Sequence, residues 1–403
     1  MVIGAGASGL MAAISAARQG ASVTILERME KPGKKLLMTG NGKCNLTNAH
    51  MDIPGAFRGG SPAFVDTILK QFSQEDTLQF FHDLGVLTKE KAGCIYPYTD
   101  QASTVQEALL LEAGKRKVRI KCNEEVRLIQ PLTEGGFQIQ TGTWCYQADK
   151  VILAAGSQAA SLSGFDDSGF RLSEKLGHRI LKPLPALVPL KIAEPFSDRA
   201  AGVRARAGLT LLVDGQVQAK DRGELQWTAY GISGIVVFQI SRFAVRALSD
   251  GKRVSVIVDL LPDNSEEELL EMIQRIEPEF LLNGLFAKRM QGALIKACFG
   301  KKRPLLDQTA MWKLLKLAKN LKLTITGSRG FAYAQCCSGG VPVQEVKADT
   351  LESLKIPGLY LTGELLDIDG MCGGYNLQWA WSTGYVAGLH ASMPAMQKGR
   401  KHQ

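Results

Sequence analysis

Three short stretches carry residue types whose spacing suits chemistry. The first, Gly4-Ala5-Gly6-Ala7-Ser8-Gly9, fits a G-x-G-x-x-G pattern, and an acid, Glu27, closes the next apolar run. The second, Leu37 to Asn48 (LMTGNGKCNLTN), sets Lys43 and Cys44 among glycines and amides. The third, Gly370 to Leu377 (GMCGGYNL), places Cys372 and Tyr375 around paired glycines. Glycines let backbone approach a ligand closely, a lysine offsets negative charge, and thiols or a phenol offer redox or proton chemistry.

Each stretch needs particular elements around it. MVI, GAGASG, LMAAISAARQG and SVTILE read as strand, glycine turn, helix and strand, half of a parallel βαβ unit. In that setting Gly4 permits the tight turn, Gly6 admits a pyrophosphate, and Gly9 lets helix and strand pack. The helix N-terminus, with Ala7 and Ser8 in its first turn, favours the anion, and Glu27 accepts from ribose hydroxyls. Only three residues precede Gly4, so the first strand is short or the start is clipped. The alternative is a tight turn with no ligand.

Two further strands, KVILAAG ending at Ala155-Gly156 and GLYLTGE ending at Gly363-Glu364, finish in small residues, as if leaving room over one ligand. A flavin adenine dinucleotide is long enough to need both ends of the chain, so FAD is expected rather than a nicotinamide-only site. Gly373 and Gly374 open an apolar helix whose free N–H groups suit the negative charge of a reduced flavin. An ordinary glycine start to a core helix is the plainer reading.

In the second stretch, Gly40 and Gly42 let backbone run against flavin and pyrophosphate. Asn41 and Asn45 supply amide hydrogen bonds, Lys43 offsets charge, and Cys44 lies near the ring. Packing or weak hydrogen bonding is the expected role of Cys44 and Cys372, with a redox dithiol between them as the rarer option. Arg28, Lys35, Val126, Asn376 and Leu377 complete the expected cofactor contacts.

Composition excludes several classes. The chain has 403 residues, 45% apolar and 22% charged, which describes a globular protein of two or three domains. Its eight cysteines include no C-x-x-C pair and no zinc-type spacing, so a reducing cytoplasm and no metal are expected. Adjacent Cys336 and Cys337 read as buried thiols, with a vicinal disulfide as the rarer option. No apolar run reaches membrane-spanning length.

Net charge is +9, and the excess is local. Leu285 to Gly330 holds eleven lysines and arginines against one acid, Asp307, while Asp259 to Glu279 holds eight acids and Arg275. Two solvated faces that attract each other are one reading; an anionic partner is the other.

Between the motifs, Ser61 to Leu84 reads as two helices with a capping-box spacing at Ser73 and Asp76, and Thr104 to Lys117 as another. VRIKC, EVRLIQ, FQIQT and WCYQA suggest a meander. Pro183, Pro185, Pro189 and Pro195 mark a domain crossing. Short strands follow, then a helical pattern from Asn264 to Asn320.

GAGASGLMAA, ERMEKPGKKLLMTGNGKCNLTN, ILAAG and PGLYLTGELLDIDGMCGGYNLQWAWSTGYVAG together resemble the bacterial NAD(P)/FAD-dependent, aminoacetone-oxidase-like flavoproteins over nearly the whole chain. The resemblance implies an α/β fold: a split Rossmann-like FAD-binding domain with an inserted β-barrel-like domain and a small helical domain. The expected parts are 1–188 and 336–403 for FAD, 189–262 and 321–335 for the barrel, and 263–320 for the helices. Two motifs depart from the family pattern. Gly40-Asn41-Gly42-Lys43-Cys44-Asn45 stands where Gly-Gly-Gly-Arg-Cys-Asn is more common, and Gly164-Phe165-Asp166-Asp167-Ser168-Gly169 where Ser-Thr-Gly-Asp-Gly is usual.

The activity expected from this likeness is hydride transfer from NAD(P)H, through flavin N5, to an activated C=C bond of a small apolar enone. A 3-oxo-Δ4 or Δ4,6 steroid of bile-acid type is the leading substrate. Tyr375 is the candidate proton donor and Tyr230 the second, with buried packing as the alternative for both. A CoA thioester could place its phosphates on the basic stretch. An amine oxidase or dehydrogenase, and an RNA-associated flavoprotein, are the rival classes; no aromatic-interleaved basic motif supports nucleic acid.

Overall fold

A computed structural model describes residues 1–160, 163–301 and 305–393. The chain divides into two compact units, Met1–Pro183 with Cys336–Gln403, and Leu184–Gln335. The proline-rich run carries the chain from the first to the second.

The first unit is built on a parallel sheet of five short strands: β1 Val2–Ile3, β2 Thr24–Leu26, β3 Arg119–Lys121, β4 Val151–Leu153 and β5 Leu359–Leu361. Their order is β5-β4-β1-β2-β3, with Val2 opposite both Ile152 and Ile25, and Val151 opposite Leu359. The four strands other than β3 are buried throughout, which is why they are largely Val, Ile and Leu, broken by Thr24 and Tyr360, rather than alternating with charged residues. VRIKC therefore joins the parallel sheet, and the meander is Val126–Pro131, Phe137–Thr141 and Cys145–Ala148.

Because β5 comes from the end of the chain, the last helix, Tyr375–Ser392, returns to pack on the first, Ala7–Arg18. Glycine makes this packing possible. A Cβ on Gly384 would lie 2.4 Å from the Ser8 carbonyl oxygen, and one on Gly388 2.3 Å from that of Ala12. The Ser15 hydroxyl then donates to the Tyr385 carbonyl at 2.9 Å. The capping box at Ser73 and Asp76 is present in full, starting helix Gln74–Asp83.

One buried node braces the C-terminal segment. His178 Nδ1 lies 2.8 Å from Glu345 Oε2, and its Nε2 lies 3.0 Å from Ser353 Oγ. The spacing is that of a hydrolase triad. However, the Ser353 hydroxyl also accepts from the Lys355 and Ile356 N–H groups and is 3% exposed, so it serves as a staple, not a nucleophile. Burial lowers the His178 pKa below 6.5 despite the attraction of Glu345. The folded state therefore binds this proton less readily than the unfolded chain, and stability falls as pH drops below 6.5. Melting temperature measured from pH 7.5 to 5 is expected to decline, and the decline to be shallower in His178→Gln.

The second unit contains a closed six-stranded barrel, Leu190–Ile192, Gly231–Ser233, Gln216–Thr228, Arg204–Val213, Val254–Asp259 and Leu321–Ser328 in spatial order. Alternation sets its inside: Val254, Val256 and Val258 face in, as do Leu321, Leu323 and Ile325. Asp214 and Gly215, both at positive φ, make the two-residue turn of the longest hairpin. Between the last two barrel strands come helices Glu266–Arg275, Pro278–Leu285, Lys288–Phe299 and Gln308–Lys319.

The acidic and basic segments barely pair. Among the described residues, Lys319 with Asp259 (3.0 Å) is the ion pair that joins them. Asp307 instead caps helix Gln308–Lys319, accepting from the Ala310 N–H at 2.7 Å. Lys288, Lys296, Lys301, Lys313, Lys316 and Lys322 are exposed. Lys302 and Arg303 lie outside the described residues.

Candidate cofactor site

The glycine turn sits between β1 and the first helix. Its three glycines do different jobs. A Cβ on Gly4 (φ +101) would stand 2.6 Å from the Ala154 carbonyl oxygen, and one on Gly9 2.0 Å from that of Gly4, so both close the packing. A Cβ on Gly6 would meet nothing within 4 Å. Gly6 is the N-cap of the first helix, which has no side-chain cap and no acid in its first turn. Ala7 and Ser8 thus begin a helix whose positive end faces open space, as a pyrophosphate requires.

Glu27 follows β2 and is 9% exposed. Its Oε2 accepts from the Ala5 N–H at 2.7 Å and its Oε1 from the Met29 N–H at 2.8 Å. The carboxylate is thereby locked beside the glycine turn, with remaining lone pairs for ribose hydroxyls. Val126 opens the meander just past Glu124, whose N–H donates to the Glu27 carbonyl at 2.9 Å. Arg28 is engaged with Asp166 at 3.2 Å and with the Gly164 carbonyl.

The Leu37 to Asn48 stretch is a loop of left-handed residues: Gly40, Asn41, Gly42 and Cys44 all have φ between +55° and +85°. Gly42 faces open space, and Asn41 and Lys43 are exposed. Asn45 Oδ1 is buried with no protein partner, an acceptor that a ligand donor would satisfy. Cys44 is fully buried, and burial pushes its thiol up to about 12. All eight cysteines are free, and the thiol beside Gly373 is that of Cys94, so Cys44 is a packed thiol and no disulfide joins it to Cys372.

This loop is tied to the start of the last helix. Asn48 Nδ2 donates to the Gly373 carbonyl at 2.7 Å, and Thr47 Oγ1 donates to Gln378 Oε1 at 2.7 Å. Gly374 (φ +101) is forced by the Thr47 carbonyl, 2.4 Å from where its Cβ would be. It is the helix N-cap and brings no side-chain cap, so the N–H groups of Tyr375, Asn376 and Leu377 begin the helix unsatisfied by any cap. The Asn376 side chain instead grips Gly370, accepting from its N–H at 2.8 Å and donating to its carbonyl at 3.0 Å.

Tyr375 does not fit the proton-donor expectation. It is 2% exposed, burial raises its pKa, and its hydroxyl donates to the His50 carbonyl at 2.8 Å. A phenol held this way braces the loop. Tyr230, the second candidate, belongs to the barrel unit.

At the ends of β4 and β5, Gly156 (φ +70) faces open space, while Gly363 (φ +65) is pressed against Ser8, whose Oγ lies 2.7 Å from its Cβ position. Ala155 precedes Gly156. Glu364 accepts from Lys35 Nζ at 2.5 Å and from the Cys337 N–H at 2.8 Å. Lys35 thus holds the first and last segments together through Glu364. Missed from the sequence was Gln378, fully buried, whose Nε2 donates to Thr77 Oγ1 (2.8 Å) and the Ser73 carbonyl (3.1 Å). Its place one turn into the last helix was the available signal.

Gly6, Gly42 and Gly156, all open, lie with Glu27 and the orphan Asn45 oxygen in segments at or beyond the C-terminal ends of the strands. That is where doubly wound sheets bind ligands. A cleft of about 800 Å³, lined by Arg119, Lys121, Tyr146 and Lys150, opens at the opposite, N-terminal ends and is not this site. Among the described residues no cluster of three metal-ligating side chains exists, and no helix is long and apolar enough to cross a membrane.

The fold and site define a Rossmann-type dinucleotide-binding protein whose cofactor domain is split by an inserted barrel and helices. Residues 1–390 match the family described as HI0933-like protein Rossmann domain, and the chain belongs to it. It is 45% identical to the 3-dehydro-bile acid Δ(4,6)-reductase of Clostridium scindens, covering 97% of this chain and 98% of that one. It is 29% identical to the ribosomal RNA dihydrouridine synthase of Escherichia coli, over 96% of each chain. A solved 3-ketosteroid Δ1-dehydrogenase from Sterolibacterium denitrificans shares the fold with a TM-score of 0.51, 14% identity and coverage of 97% and 98%.

Proposed function

We propose that the protein is an FAD-dependent reductase of a C=C bond conjugated to a carbonyl, with a 3-oxo-Δ4 or Δ4,6 steroid of bile-acid type as substrate and NAD(P)H as electron donor. The observation that carries this reading is the 45% identity, over 97% of the chain, with a 3-dehydro-bile acid Δ(4,6)-reductase. The residues at the sheet edge fit FAD. The Gly6 turn and first-helix N–H groups would hold its pyrophosphate, and Glu27 its ribose hydroxyls. Asn45 Oδ1 would accept a ring or ribityl donor, and Lys43 would offset negative charge. Bound there, FAD would supply the two-electron chemistry needed to reduce the conjugated C=C bond. The N-terminus of the last helix would favour negative charge near it. Lys35, ion-paired to Glu364, keeps the two halves of the site in register.

Anaerobic stopped-flow tests the proposal. NADH or NADPH should bleach the bound flavin, and a 3-oxo-Δ4,6 steroid acid should restore its colour with loss of one C=C bond per flavin reoxidised. Reduction by an amine, with reoxidation by oxygen alone, would replace the reading with an oxidase.

A second reading is supported by two relatives named ribosomal RNA dihydrouridine synthase, 29% and 28% identical, and by the exposed lysines Lys288, Lys296, Lys301, Lys313 and Lys316 of the helical segment. The uracil ring C=C is also conjugated to a carbonyl, so the same chemistry would serve. Appearance of dihydrouridine in RNA incubated with enzyme and NAD(P)H, with no turnover of the steroid, would select it. A CoA thioester would draw on the same lysines and is tested by salt-dependent binding of the thioester against the free acid.

A further inference from the structure

Cys94 and Cys372, both half-buried and both in the first unit, flank one seam, where strand Cys94–Pro97 passes the start of the last helix. A Cβ on Gly373 (φ +123), the residue after Cys372, would lie 3.6 Å from Cys94 Sγ, so this sulfur rests against the backbone next to Cys372. Asn48 holds the two sides together. It stands opposite Cys94 in register, and its Nδ2 donates to the Gly373 carbonyl at 2.7 Å and to Cys94 Sγ at 3.9 Å. Tyr96, two residues along the strand, senses both thiols. Burial, a hydrogen bond to Cys94 and the charge Cys372 can carry push its pKa up to about 12.

The seam borders both loops of the candidate cofactor site. A Cβ on Gly40 would lie 3.7 Å from Tyr96 Cε1, so the strand that carries Cys94 backs the Gly40 to Asn45 loop. On the other side, Cys372 leads into Gly373 and the Gly374 N-cap of the last helix. Exposure separates these two thiols from their neighbours, because Cys44, Cys336 and Cys337 are buried and a thiol must be reached to exchange. Bridging two cysteines requires Cα atoms within about 7 Å, and the contact of Cys94 Sγ with the Gly373 position brings the two backbones to that scale.

We infer that Cys94 and Cys372 are a reversible disulfide site, which when oxidised ties the strand behind the Gly40 to Asn45 loop to the start of the last helix. The co-reactant is a small-molecule disulfide, RS–SR. One protein thiolate attacks it and expels RS⁻; the second attacks the protein sulfur of the mixed disulfide and expels the other RS⁻. The two protein thiols thus lose two electrons and two protons, and RS–SR leaves as two RSH. A small dithiol reverses the exchange, so the bond acts as a sensor rather than a permanent staple. The bond itself is independent of the substrate; its effect on cofactor retention rests on the FAD reading above.

The test treats the purified FAD-loaded protein with oxidised glutathione, blocks the remaining thiols with iodoacetamide and maps the peptides by mass spectrometry. A Cys94–Cys372 cross-link should appear and vanish on treatment with dithiothreitol. Cys94→Ser and Cys372→Ser should each abolish it, while Cys145→Ser, which removes an exposed thiol, should leave it intact. Release of FAD, followed by the rise in flavin fluorescence, should slow at least about tenfold in the oxidised wild type, because the bond suppresses local opening of the seam. Oxidation should leave release unchanged in both serine variants. Alkylation of both thiols after oxidation, glutathione retained on either, or pairing of either with a third cysteine would overturn the site. Equal FAD release from oxidised and reduced wild type would overturn the clamp. If the protein takes up no FAD, the cofactor reading fails while a mapped Cys94–Cys372 bond stands.

Discussion

Gly6→Val is expected to yield a folded protein that purifies without flavin. The reason lies in the contrast among three glycines of one motif. Gly6 has φ −77° and ψ −171°, extended backbone that valine adopts freely, and a Cβ there meets no protein atom within 4 Å. The added side chain would occupy the space over the helix N-terminus that a pyrophosphate needs. FAD affinity should fall more than a hundredfold, equivalent to more than about 2.7 kcal/mol. The melting temperature of the apoprotein should stay within about 2 °C of wild-type apoprotein, since little native packing is disturbed. Gly9→Val should fail differently, because its Cβ would fall 2.0 Å from the Gly4 carbonyl oxygen. The pair is read by the flavin-to-protein absorbance ratio and by circular dichroism. A Gly6→Val protein that retains stoichiometric FAD would refute the assigned cradle.

Gly384→Leu should give the largest loss of stability. No rotamer relieves a Cβ that stands 2.4 Å from the Ser8 carbonyl, so the last helix must move off the first. Overpacking against backbone costs about 3 kcal/mol or more, a drop of about 6–12 °C in melting temperature. Because Gly363 is pressed on Ser8 and the Trp379 indole N–H donates to the Gly363 carbonyl at 3.1 Å, the shift should reach the cofactor edge and weaken FAD too. Thermal melts with and without excess FAD check this. Leucine at the neighbouring Tyr385, by comparison, should cost far less, since it changes side chain without touching backbone spacing. Equal melting temperatures for wild type and Gly384→Leu would show that the helices do not pack as closely as described.

The residue pattern alone carried much of the architecture, for reasons that are local. A glycine turn between a Val/Ile run and an alanine-rich segment, then an acid after the next apolar run, specifies strand, turn, helix and strand without reference to the rest of the chain. The same holds for the capping box at Ser73 and the helical periodicity after Asn264. Local chemistry also brought the Gly40 to Asn45 loop and the Gly373-Gly374 helix start into one candidate site, since both had to present backbone to the same ligand.

What each side chain does there was decided by distant contacts. Tyr375 has the chemistry of a proton donor, but its hydroxyl donates a hydrogen bond to the His50 carbonyl, 325 positions away. Asn376 turns back on Gly370, Lys35 is claimed by Glu364, and Cys44 is fully buried. Among the described residues the basic and acidic runs, opposite in sign and adjacent in sequence, meet through Lys319 and Asp259, while the other lysines are exposed. Residue type and spacing along a chain report conformational preference and ligand class; which hydrogen bonds and charges remain available to a ligand depends on what the folded chain has already satisfied.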